Sequence, residues 1–385
     1  MEVNKIYNGD ALSLLKTFPD ESINCVVSSP PYWGHRCYRT QPLIFGGKEK
    51  CEHKWIVEEW AKEKLSIKGV DNYSEFADYN DRATYTNYCL ECGAFKGDLG
   101  LEPTPEMFVD HLVDIFSEIK RVLKDDGVIW LNLGDTYYSG GGSSRHKGYA
   151  DPKYPEGRDG SFEELQTKHH KFLKPKDMCG IPFRVAFALQ ERLGLYLRQA
   201  IIWHKLNAMP SSVSDRPSSD YEFVFLLSKS ERYYYDADAV REPHKIDSIK
   251  RACRARTSEK LKVGEYSISC TGKNVGYMGM EEKLKNGELR MVHPNGRNCR
   301  AVWSITTKPS HEQHYAAFPE ELPERCIKAG SKEGDIILDP FFGTGTTGLV
   351  ALKLNRNFVG IDLKKEYCDI AEKRLRPWIE QKRLN

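Results

Sequence analysis

The sequence predicts an α/β fold built on one sheet and interrupted by two polar insertions. Two observations predict it. Short hydrophobic runs alternate with amphipathic helical runs along most of the 385 residues, as in layered α/β domains. The stretches 46–100 and 236–300 break that alternation with polar, irregular sequence. The expected organisation is therefore one sheet domain over 1–45, 101–235 and 301–385, with insertions at 46–100 and 236–300.

In chain order, strands are expected at Lys5–Tyr7, Cys25–Ser28, Gly127–Leu133, Leu197–Trp203, Glu222–Ser228, Asp335–Leu338 and Phe358–Ile361. Between them, Pro105–Leu123 carries Phe108, Leu112, Ile115, Ile119 and Val122 at helical spacing. Thr104 and Pro105 form a cap followed by a first-turn proline. Ile181–Leu193 and Glu366–Leu375 read as helices in the same way. Residues 139–176 open with a glycine- and serine-rich run and stay polar, too long for an ordinary connection, so a lid or a disordered segment is expected.

Composition excludes several classes. The formal charge of +2 gives no whole-chain basic signature, although a local basic face suffices for nucleic acid. No apolar run approaches the roughly 18 residues of a membrane span. The N-terminal MEVNKIYNGDALSLL lacks the pattern of a secretory leader, so a cytoplasmic location is expected. Eleven cysteines in a chain this long suggest free thiols and one metal site rather than a disulfide scaffold.

Two hydrophobic runs end in chemically unusual turns. The first, IILDPFFGTGTTG (336–348), delivers Gly343, Gly345 and Gly348 to the start of a helix, where glycine allows close approach to a ligand. No Gly-Lys-Ser/Thr follows, so it is not a phosphate loop. Asp339 stands four residues before the first glycine, and a carboxylate there suits a cationic ligand rather than a pyrophosphate. Asp362 ends the next strand, where it can accept ribose hydroxyls. Phe341 and Thr346 belong to the same turn.

The second run, VVSSPPY (26–32), ends in Ser29, Pro30, Pro31 and Tyr32. The prolines remove two donors and hold Ser29 extended. The result is a rigid edge with acceptors exposed and an aromatic face beside them. These parts suit a planar base carrying an exocyclic amine, which is a poor nucleophile until its hydrogens are accepted and its lone pair is aimed. No Pro-Cys dipeptide occurs, so covalent attack by a thiolate is not expected.

Together the two turns resemble the cofactor and catalytic motifs of S-adenosylmethionine-dependent DNA amino-methyltransferases, in the permuted order of the beta group. The resemblance covers most of the chain outside the insertions. It implies a Rossmann-like methyltransferase sheet, mixed but mostly parallel, with S-adenosylmethionine as cofactor. It assigns Asp339 to the methionine end, Asp362 to the ribose and Asp10 to the adenine side. It gives Ser29, Pro30, Pro31 and Tyr32 the catalytic roles. Enzymes of this group with serine at the head of the motif mostly methylate cytosine N4, and those with Asp or Asn mostly methylate adenine. The expected product is N4-methylcytosine, with adenine methylation as the alternative. A catalytically inactive zinc-containing DNA-binding protein and a nicotinamide-dependent oxidoreductase are weaker readings, the latter opposed by Asp339.

A base must leave the duplex to reach such a turn, and Tyr32 and Trp33 are the stacking candidates. Segment 201–230 resembles a family segment near the flipped base, which nominates Lys205, Asn207 and Arg216. Residues 314–330 resemble the helix that precedes the cofactor strand, with Phe318 and Pro319 near the cofactor. Within 46–100, Cys51-x-His53 and Cys89-x-x-Cys92 form two close pairs, the usual construction of a structural zinc site. Residues 241–300 hold fourteen Lys/Arg against seven Asp/Glu. The cluster Arg251, Arg254 and Arg256 sits where the beta group keeps its target-recognition region. The implied partner is double-stranded DNA, a companion restriction endonuclease is compatible with this reading, and the protein is a monomer or a homodimer.

Overall fold

The computed structural model describes residues 1–34, 42–48, 50–55, 89, 91–138, 170–245, 259–263, 266–270, 282–283, 289–290, 293, 295–307 and 318–384. Its strands are β1 (Lys5–Asn8), β2 (Ile23–Ser28), β3 (Leu43–Phe45), β4 (Phe95–Gly97), β5 (Leu123–Leu133), β6 (Tyr196–His204) and β7 (Tyr221–Ser228). Then come β8 (Glu259–Val263), β9 (Tyr266–Cys270), β10 (Glu282–Lys283), β11 (Leu289–Arg290), β12 (Val302–Ser304), β13 (Ile336–Asp339) and β14 (Asn357–Asp362). The helices are α1 (Ala11–Leu15), α2 (Pro105–Val122), α3 (Ile181–Leu193), α4 (Glu321–Gly330), α5 (Thr346–Lys353) and α6 (Lys365–Leu384). Among the described residues, no helix is long and apolar enough to cross a membrane.

Eight strands form one sheet in the order β1-β14-β13-β2-β5-β7-β6-β12. Only β7 runs against the others, pairing antiparallel with β5 and β6. The sheet is therefore mixed and mostly parallel, as expected. Its strands are hydrophobic in both directions because both faces are covered. Val26, Ile129 and Leu131 face one core with the helices α1, α2 and α3. Cys25, Val27, Val128 and Trp130 face the other with α4, α5 and α6.

Local signals explain the main helices. Phe108, Leu112, Ile115, Ile119 and Val122 of α2 are all buried, and the Thr104 side chain accepts from the Met107 N–H. The last helix differs from expectation: α6 continues through Pro377 to Leu384. The short edge strand β12 carries only three residues, Val302–Ser304, too few for a period to be read.

The direction of the strands decides where a site can form. The carboxyl ends of β1, β14, β13, β2, β5, β6 and β12 all lie at one edge, joined there by the start of β7. The adjacent strands β2 and β13 lead to helices on opposite faces, α2 and α5. This is the switch point at which open α/β sheets bind ligands.

Candidate active site

At the cofactor corner, Asp339 ends β13 only 2% exposed. Its carboxylate accepts from Ser28 Oγ at 2.6 Å, Thr347 Oγ1 at 2.6 Å and the Phe341 N–H at 3.1 Å. Burial pushes its carboxyl up to about 6, against the lowering effect of those three donors, and the nearby Asp362 charge adds to the rise. Asp339 is thus a charge held beneath the turn. Asp362 lies nearer the surface, accepting the Gly343 N–H at 2.7 Å and the Lys364 N–H at 2.8 Å. Burial raises its carboxyl as well, opposed by these two donors. Each of its oxygens takes one backbone donor and keeps acceptor capacity for a ligand hydroxyl. Asp10 caps α1 by accepting the Ser13 N–H at 2.8 Å, and the preceding Gly9 N–H bonds the Asp362 carbonyl at 3.0 Å. These acids therefore share one corner.

The glycines divide their work. Gly343 and Gly345 have φ of +52° and +82°, the left-handed region that favours glycine. Gly348 and Gly360 are needed for packing. A Cβ at either would lie 2.5 Å from the Phe342 ring. Phe342 is the buried anchor of the turn, while Phe341 is half-buried. Thr346 is buried, and Arg374 of α6 bonds its Oγ1 at 3.2 Å.

The adjoining serines of β2 serve two corners. Ser28 bonds Asp339, and Ser29 Oγ donates to the Tyr32 hydroxyl at 3.2 Å. That hydroxyl lies 2.7 Å from Glu222 Oε2 and 3.0 Å from Asn132 Oδ1. The shorter contact to the charged acceptor takes its proton. Asn132 donates its amide to Glu222 at 3.1 Å and to the Phe223 carbonyl at 3.1 Å. Lys205 forms an ion pair with the other Glu222 oxygen. The Tyr32 ring packs over Gly134, where a Cβ would lie 2.6 Å from Cε2. Its position is therefore set at both ends.

Glu222 and Asn132 belong to the same hydrogen-bonded network, and sequence reasoning missed them. The available signal was a carboxylate at the head of YEFVFLL and an amide inside WLNLGD, each a polar group in a hydrophobic strand.

Trp33 corrects an expectation. It is 1% exposed in the core, and its indole N–H donates to the Glu102 carbonyl at 2.8 Å, so it is not a stacking platform for a base. Asn207 is occupied otherwise: its side chain donates to the Thr307 carbonyl and accepts from the Thr307 N–H and hydroxyl. The Arg216 guanidinium lies 3.5 Å above the Tyr137 ring. Arg251, Arg254 and Arg256 lie outside the described residues, as do 139–169 of the expected lid.

The two cysteine pairs come together beyond the Phe45–Phe95 end of the β3–β4 pair. Donor atoms of Cys51, His53, Cys89 and Cys92 all lie within 4.8 Å of one another. Cys51 Sγ to Cys89 Sγ is 3.8 Å, and Cys92 Sγ to His53 Nδ1 is 3.4 Å. A tetrahedral ion with Zn–S near 2.3 Å and Zn–N near 2.0–2.1 Å would set these edges at about 3.8 and 3.6 Å. Gly47 makes room, since a Cβ there would lie 2.8 Å from Cys92 Sγ. The β3–β4 pair is tied to the segment that follows Tyr32. Phe45 stacks on His111 of α2, and His111 Nδ1 lies 2.9 Å from Glu102 Oε1. Past β4, the Gly100 carbonyl accepts the Gly34 N–H at 2.9 Å.

Comparison with known proteins agrees with this geometry. The N6/N4 methyltransferase family, described as DNA methylase, matches residues 23–373. The chain belongs to this family of DNA methylases. Curated relatives of the methylase include the type II methyltransferase M.Cfr9I of Citrobacter freundii, 38% identical over 96% of this chain and 87% of that protein. M.SmaI of Serratia marcescens is 34% identical over 96% of this chain and 90% of its own. Among solved structures, the PvuII DNA methyltransferase (cytosine-N4-specific) shares the fold, with a TM-score of 0.50 at 18% identity over 99% of this chain and 93% of that one. The methylase thus has the ancestry that its two turns resemble.

Proposed function

We propose that this methylase transfers a methyl group from S-adenosylmethionine to the N4 amine of a cytosine flipped out of double-stranded DNA. The observation that carries the reading is the hydrogen-bonded chain Ser29–Tyr32–Glu222, one residue from the Ser28–Asp339 contact. The acceptor and donor sites thus meet at the end of β2.

S-adenosylmethionine, when bound, supplies a methyl group made electrophilic by the sulfonium. The corner fits such a ligand: Asp339 offers a buried negative charge for the cationic end, and Asp362 offers acceptors for ribose hydroxyls. On the other side, Ser29 Oγ accepts an amine hydrogen and favours a pyramidal nitrogen. As the nitrogen gains its methyl group it must lose a proton. Ser29 takes that proton and passes its own to the Tyr32 hydroxyl, which passes one to Glu222. Asn132 and Lys205 hold Glu222 in place, and the Tyr32 ring provides the stacking face. Ser29 at the head of the motif supports cytosine over adenine.

We assign one structural zinc to Cys51, His53, Cys89 and Cys92, within an insertion spanning 46–100. Target recognition is assigned to 236–300 on its basic balance. The proposed location is the cytoplasm, where thiols stay reduced; Cys25, Cys51, Cys89, Cys92, Cys179, Cys299, Cys326 and Cys368 form no disulfide.

Mass spectrometry of nucleosides from DNA treated with the protein is the test. N4-methylcytosine is expected. N6-methyladenine would overturn the choice of base, and neither product would overturn the activity. Ser29→Ala should slow single-turnover methyl transfer more than it weakens DNA binding.

A further inference from the structure

The loop that leaves the site beyond β6 carries an unusual load of apolar surface. Leu206 is 60% exposed, Met209 90% and Val213 38%, with the exposed Pro210 between them. Ordinary solvent loops do not keep four apolar residues outward within eight positions of a binding edge. Lys205, immediately before them, is paired with Glu222 of the catalytic network. The loop therefore starts at the acceptor site.

The loop is also held in place. The Ala208 N–H bonds the Lys205 carbonyl at 3.3 Å, closing a turn around Leu206 and Asn207. Asn207 staples that turn to the end of β12 through its three bonds with Thr307. Farther along, Lys176 pairs with Asp215 at 2.7 Å and Arg216 stacks on Tyr137. The apolar tip stands between these two anchor points and projects Met209 into solvent. Flexibility thus does not account for its exposure.

Resting on the reading of this site as a base-flipping methylase, we propose that Leu206 and Met209 are the wedge that occupies the duplex where the target base has left. A flipped base leaves its neighbours unstacked and its partner unpaired, a state that costs free energy unless something fills the gap. Unbranched and branched apolar side chains do this in proteins that part base steps. The occupant of the apolar surface is accordingly double-stranded DNA at the target step. Along the sheet edge the order becomes cofactor acids, Ser29 and Tyr32, Glu222 and Lys205, and then the wedge.

The test uses the full-length protein and two synthetic duplexes bearing the sequence found modified in DNA treated with wild-type enzyme. In one the target base is normally paired. In the other it faces an abasic position, so no pairing opposes its exit. Met209→Ala and the double variant Leu206→Ala/Met209→Ala should slow single-turnover methyl transfer on the paired duplex by roughly ten- to a hundredfold. On the abasic duplex both should recover to near the wild-type rate. Met209→Leu should keep most of the rate on both. Wild-type rates for the alanine variants on the paired duplex would overturn the proposal. So would an equal loss on both duplexes, which would place these residues in binding or chemistry instead. Wild-type protein that leaves every sequence of the treated DNA unmodified would sink the methylase reading itself, a failure visible before the duplexes are made.

Discussion

Replacing Glu222 by glutamine removes one negative charge and keeps the shape of the side chain, which makes it a sharp probe of the acceptor network. Glu222 accepts the Tyr32 hydroxyl at 2.7 Å and the Asn132 amide at 3.1 Å, and it pairs with Lys205. Its side chain is 15% exposed and that of Lys205 23%, so water screens the pair only in part. A hydrogen bond to a charged partner contributes about 1.5–3 kcal/mol. The Tyr32 bond is the one linked to the reacting amine, and losing about 2–3 kcal/mol at the transition state slows the step roughly 30- to 150-fold. Tyr32→Phe removes the same bond from the other side. The double variant should therefore be little slower than either single variant, since both changes break one unit. Rapid-quench single-turnover assays at saturating DNA and cofactor read this directly, with melting temperatures as the folding control. A Glu222→Gln protein with the wild-type rate would refute the reasoning, as would rate losses that multiply in the double variant.

Further expectations follow from the other features. Asp339 has a carboxyl raised from 3.8 to about 6, so its neutral form favours the fold and that contribution is lost as pH rises through 6, a cost of about 3 kcal/mol. A cationic ligand favours the ionised form, so calorimetric affinity for S-adenosylmethionine should rise with pH up to 6 and level off above it. Asp339→Asn should flatten that profile and melt no lower than wild type at pH 7.5. Elemental analysis should find one zinc per chain, and chelation should lower the melting temperature and alter the near-ultraviolet signal of Trp33 and Trp55; a metal-free protein of unchanged stability would reject the site. Gly348→Ala places a Cβ 2.5 Å from Phe342, an overpacking cost of about 1–3 kcal/mol that exceeds the roughly 1 kcal/mol gained in a helix; the urea midpoint should fall at constant slope.

Seven of the eight strands of the sheet, all but β12, were legible in the sequence because each is a hydrophobic run. The turns after β2 and β13 were legible because prolines and left-handed glycines constrain their own backbone wherever they stand. The two cysteine pairs announced themselves by spacing alone. The helix read to Leu375 runs on past Pro377 to Leu384, with Ile379 packed against the core beneath α4 and α5.

What only the tertiary structure decided depends on contacts between distant residues. Tyr32 meets Asn132 100 positions away and Glu222 190 positions away, and no local pattern marks that convergence. Trp33 follows Tyr32 in sequence, yet Tyr32 bonds Glu222 while Trp33, in the turn that ends at Gly34, is buried with its indole on the Glu102 carbonyl. Ser28 reaches Asp339 and Ser29 reaches Tyr32, so two adjoining serines serve two corners. Gly348 looks like a ligand-binding glycine until the Phe342 ring is seen against it. Sequence determines the local conformations available to each turn, and the packed sheet determines which side chains those turns bring together.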